Sequence, residues 1–151
     1  MEYQVQNHTI LPECNAGRET SMTDYKPEDY LKYRIERARE TIDEVQTHIE
    51  NKFWNTAINR MYYACFYAIG ALLAKHKIEV SSHPGVRQKF GEHFVKTGKF
   101  DKRLAKHFTK LFDKRHKGDY NDFFDYDEET VLRLYPLSKE LIKQIEELLT
   151  E

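Results

Sequence analysis

With 151 residues, 40% hydrophobic and 32% charged, the chain has the length of one domain and enough apolar material to bury a core, which excludes a disordered protein and two independent cores of ordinary size. The net charge is −1, and the longest weakly polar stretch, Met61 to Ala74, holds three tyrosines and stops at Lys75, short of the ~20 residues that a bilayer span requires. The opening MEYQVQNHTILPEC has no basic or apolar run of the secretory kind, so a cytoplasmic protein without a membrane span is expected.

Residues 1–23 show no sustained period and read as a tail, with Met22 as an alternative start; residues 24–151 read as the folded domain. From Pro27, the residues Leu31, Ile35, Ala38, Ile42, Val45 and Ile49 recur at spacings of three and four, which draws one apolar stripe along a first helix. A second helix, about Lys52 to Lys75, carries a wider stripe from Trp54 through Met61, Tyr62, Cys65 and Ile69 to Leu73, and is expected to be the most buried. After Ser82-His83-Pro84 a third helix runs to about Thr97, with Gly98 as its stop. Asp101 caps a fourth helix that places Leu104, Phe108, Leu111, Phe112 and Arg115 on one side and ends at Gly118. The Asp- and aromatic-rich segment 119–126 reads as a loop, and a last helix from Asp127 should be kinked or split at Pro136. No alternating β-branched segment competes, so the expected fold is all-α, an up-and-down bundle of four to five helices.

The charge is unevenly placed. From His83 to Gly118 eleven Lys and Arg face three acids, a balance of +8, whereas 119–151 carries −7. Neighbouring solvated faces would account for that, and so would a basic surface that attracts phosphate. Cys14 and Cys65 form no CxxC pair, no two histidines stand at i, i+4, and no Gly-rich phosphate loop is present, so neither metal nor cofactor is expected. The candidate chemistry lies in polar residues on apolar faces. Asn59 and Arg60 interrupt the most buried helix, and an inward Arg60 should meet acids of the 119–127 segment. Arg115 ends the core stripe of the fourth helix, where a guanidinium could grip phosphate in two-point fashion or instead pair with Asp119.

The runs NRMYYACFYAIGALL, SHPGVRQKFGEHFVKTGKFD and RHKGDY, in that order, resemble the HEPN family, small helical domains often encoded beside a minimal nucleotidyltransferase. The resemblance implies a homodimer whose helix-end motifs line one cleft, and, in many members, a metal-independent ribonuclease toxin checked by the nucleotidyltransferase. The family motif is an Arg followed after four to six residues by a His. Arg115 matches the arginine and His116 the polar position beside it, but Tyr120, Asn121 and Asp122 stand where the histidine would be. A tyrosine, with a pKa near 10, is a poor base at neutral pH, so binding of RNA, a nucleotide or a partner through Arg115, His116, Asp119, Asn59 and Arg60 is the leading reading. Catalysis by Arg115 and Tyr120 is the second, and a purely structural bundle, with Arg115 and Arg60 in buried ion pairs, the third.

Overall fold

The computed structural model describes residues 26–120 and 125–151, the side chains of 118–120 excepted. Leu31–Glu151 forms one compact unit, preceded by a unit of which residues 26–30 are described. The tail, the expected domain start at residue 24 and Cys14 lie outside the described residues. Among the described residues five α-helices follow one another: α1 Pro27–Glu50, α2 Trp54–Lys75, α3 His83–Phe90, α4 Lys102–Tyr120 and α5 Glu128–Leu149. Among the described residues there is no strand, and no helix is long and apolar enough to cross a membrane. The bundle is all-α.

Every residue of α2 from Met61 to Leu73 is buried, which makes it the central helix, and that is the outcome its wide stripe predicts. It leaves α1 through a turn in which Lys52 adopts φ 61°, and it closes on Lys77 with φ 59° while the N–H of Ile78 reaches back to the carbonyl of Leu73. α1 runs against it and buries Ile35, Ala38, Ile42 and Val45, but also Arg34 and Thr41, which the apolar period does not mark. α5 runs parallel to α2, so that Lys75 donates to the carbonyl of Leu149 at 2.7 Å.

α3 is capped by Ser82, whose Oγ accepts from the Gly85 N–H at 3.0 Å, and Pro84 occupies its first turn. Instead of continuing as an α-helix to Thr97, the chain widens into a π-helical turn over Gly91–Val95 that carries Phe94 beside Phe90, with ring centroids 6.2 Å apart. Gly98, at φ 80°, ends that segment as expected. α4 passes through Gly118 to Tyr120 rather than stopping there; a helical glycine costs about 1 kcal/mol, a penalty a 19-residue helix tolerates. Pro136 does not split α5. The carbonyl that loses its donor belongs to Leu132, which is exposed, so water can take the place of the missing N–H.

Candidate functional site

Three helices bring arginines onto the aromatic face of α2. Tyr62, Tyr63, Phe66 and Tyr67 occupy successive positions on that face, and Tyr62 stacks on Phe108 of α4 at 5.5 Å and 12°. The Arg115 guanidinium lies 5.0 Å from the Tyr62 centroid and 5.7 Å from Tyr63, and Arg60 covers Tyr63 from the other end at 5.6 Å. Arg87 of α3 stands 4.5 Å over Phe112, itself 5.9 Å from Tyr62. From α1, Arg34 lies 5.6 Å and Arg37 5.1 Å from the Tyr67 ring, whose hydroxyl accepts from Arg37 Nη2 at 3.3 Å. Five guanidiniums thus share a belt of rings, each contact contributing about 0.5–2 kcal/mol depending on burial. Glu40 and Glu44 stand at its edge, each 3.6 Å from Arg37 and Arg60 respectively.

The belt has one histidine among the described residues, and sequence reasoning did not choose it. His83, at the start of α3, stacks on Phe66 at 4.2 Å and 7°, and its Nδ1 shares a 2.8 Å hydrogen bond with the Tyr62 hydroxyl. Burial, and then the positive charges of Arg115 and Arg34, push its pKa down to about 4, so the ring is neutral at pH 7. Its Nε2 is buried with no hydrogen-bond partner among the described residues. Burial likewise raises the Tyr62 phenol, against the pull of Arg115 and Arg87. The available signal was a histidine in the first turn of a helix, where the dipole disfavours the imidazolium, inside the SHPGVRQKF run.

The expected residues divide. Arg115 and Arg60 are brought together through Tyr63. Arg60 meets Glu44 of α1, and the acids Asp119 and Asp122 lie outside the described side chains; from the described part of that segment, the Tyr126 N–H donates to Asn55 of α2 at 2.8 Å. Asn59 is half-buried beside Arg60. His116 is exposed, about 100° round α4 from Arg115, off the aromatic face. Asp119 and Tyr120 lie on the last turn of α4, and their side chains fall outside the described residues. Among the described residues no three His, Cys, Asp or Glu side chains form a metal-binding group.

The rings set what the belt can do. Tyr62 is fully buried and Phe66 1% exposed, so they cannot stack a nucleobase; of the guanidiniums on this face Arg34 is buried, whereas Arg60, over Tyr63, and Arg37, over Tyr67, keep 24% and 36% of their side chains exposed. Oriented guanidiniums with neutral backing are suited to phosphate oxygens.

Residues 31–148 match the HEPN domain family. The chain is 36% identical over 124 residues to a UPF0332 protein of Thermotoga maritima, an alignment covering 82% of this chain and 94% of that relative. Two proteins of Methanocaldococcus jannaschii are also similar. "Putative toxin MJ0605" is 33% identical, over 67% of this chain and 75% of its own length, and "Putative toxin MJ0142" is 31% identical, over 64% and 65%.

Proposed function

This chain belongs to the HEPN domain family, and on that premise we propose that it is a toxin-like protein whose arginine belt recognises the phosphates of RNA or of a nucleotide, working as a homodimer in the cytoplasm with a minimal nucleotidyltransferase as its partner. The observation that carries the phosphate reading is the convergence of Arg37, Arg60 and Arg115 on the aromatic face of α2, with Arg87 beside it over Phe112 and the buried Arg34 adding its charge. The toxin-like role rests on the names of the two Methanocaldococcus relatives, and the nucleotidyltransferase and the dimer on the motif resemblance. The test is titration of a labelled RNA oligonucleotide against the protein and its Arg115→Ala variant. Losing one charge-assisted contact should weaken binding by roughly tenfold to a hundredfold with the melting curve intact. An unchanged affinity overturns the reading.

A second reading, a metal-independent ribonuclease, is favoured by the placement of the neutral His83 in the field of Arg115, which gives the site an imidazole that the helix-end motif lacks. In that scheme Arg115 stabilises charge developing on the phosphate, while His83 or Tyr120 handles the proton. It requires turnover of RNA in the presence of a chelator, diminished by His83→Ala or Tyr120→Phe with little change in affinity. Binding without turnover removes it.

A further inference from the structure

Half a turn round α4 from Arg115, a groove of about 360 Å³ opens between α4 and α5, lined by Lys102, Arg103, Lys106, Lys110, Arg133 and the buried His107. Lys102, Lys106 and Lys110 are exposed, and none makes an ion pair among the described residues. Arg103 is neutralised, donating to Glu140 at 2.7 Å and to Asp101 at 3.5 Å. The positive charge that remains is set by the helix period. Residues four apart rise about 6 Å along the axis and turn by about 40°, so the three lysines form a gently winding row of regular steps.

We propose that this groove binds the phosphodiester backbone of a nucleic-acid strand, as a site separate from the arginine belt. A row of cations at regular steps fits a linear polyanion better than a single phosphate, because one phosphate would satisfy one end of the row and leave the rest repelling. Lysines on flexible stems act as point charges that follow a backbone without reading its sequence. A protein partner is the weaker fit, since lysine is depleted from the cores of protein interfaces, where Tyr, Trp and Phe anchors are expected, and none of these three lines this groove. Burial, and then the positive charges of Lys110, Arg103 and Arg133, push the pKa of His107 at the floor of the groove down to about 4. The site stands whether or not the arginine belt holds phosphate.

The experiment uses the full chain and a fluorescent oligouridylate of about 15 nucleotides, with the affinity measured across a salt series. Changing Lys102, Lys106 and Lys110 together to Glu should lower the affinity more than tenfold and flatten the salt slope by about two, the value for three backbone contacts to a single strand. Arg115→Ala should flatten that slope by less than one. If circular dichroism shows the triple Glu variant to be misfolded, the triple Gln variant takes its place, with the same expected flattening. A lysine variant that binds with the parent slope overturns the groove and leaves the belt standing, whereas binding lost in the lysine variant and kept in Arg115→Ala does the reverse. Absence of binding by the parent chain, or equal displacement of the oligonucleotide by polyglutamate of matched charge, also overturns it.

Discussion

Gly70 is the residue on which the arrangement of the belt turns. A Cβ built there would stand 1.8 Å from Arg34 Nη2 and 2.7 Å from its Cζ, so the absence of a side chain lets the Arg34 guanidinium lie directly across α2. Gly70→Ala should therefore expel the guanidinium and take one positive charge away from His83. Because Arg34 is one of the groups that hold the His83 pKa down, that pKa should rise, as followed by NMR titration of the ring. The melting temperature should change little, since alanine gains about 1 kcal/mol in helix propensity over glycine and that offsets the lost contacts. An unmoved His83 titration would show that Arg34 keeps its place. Arg115 was legible at this scale because it extends the period Leu104–Phe108–Leu111 by one further step. Arg34 and His83 were not: each borrows its neighbours from other helices, and a helical period scores a buried arginine as a surface residue.

At the scale of the elements, apolar spacing gave α1 and α2 to within two residues; Asp101, expected as a cap, accepts from the Arg103 N–H at 2.7 Å, and Asp127, expected to begin the last helix, caps it by accepting from the Thr130 N–H at 2.9 Å. The departures share a physical origin. The π-helical turn at Gly91–Val95 buries Phe94 beside Phe90, and α4 runs on through Gly118 over 19 residues, outcomes that a local propensity does not contain. Pro136 is the clearest instance, for it lies inside a 22-residue helix with an exposed ring. Pro136→Ala should stabilise the protein by about 1–3 kcal/mol, by restoring a donor to the Leu132 carbonyl and relieving the clash with it. Urea unfolding measures this directly, and a loss of stability would mean that the proline ring contributes packing worth more than the hydrogen bond.

For the whole molecule, the opposed charges of 83–118 and 119–151 are only partly spent on each other. Arg103–Glu140 joins the two segments, while Lys102, Lys106 and Lys110 make no ion pair among the described residues and Arg87 and Arg115 are held on aromatic faces. The charge runs were visible in the sequence; which charges found partners was not, because that depends on how α4 is rotated against α5. One global consequence is a sensitivity to acid. His83 and His107 both have pKa values lowered to about 4 in the folded chain, against about 6.5 when unfolded. Between those values the unfolded chain takes up protons that the folded chain refuses, so stability must fall as the pH drops through that window and is regained as it rises. For His107 the refusal is structural: its Nε2 is bonded to Ser138 Oγ at 2.8 Å, Ser138 donates in turn to the carbonyl of Leu134, and a proton on the buried Nδ1 would find no acceptor among the described residues. The cost at His107 is on the order of 3 kcal/mol, and smaller at the less buried His83. Asp127, whose pKa is lowered by its bond to Thr130, adds a loss in the same direction only at more acid pH. Urea midpoints taken from about pH 7 to about pH 5 isolate the histidine window from the carboxylates. His107→Gln should lower stability at pH 7, where the Ser138 bond is disturbed, and flatten the decline toward pH 5. A decline of parental steepness in that variant would assign the acid sensitivity to His83 and to His76, whose pKa is also lowered.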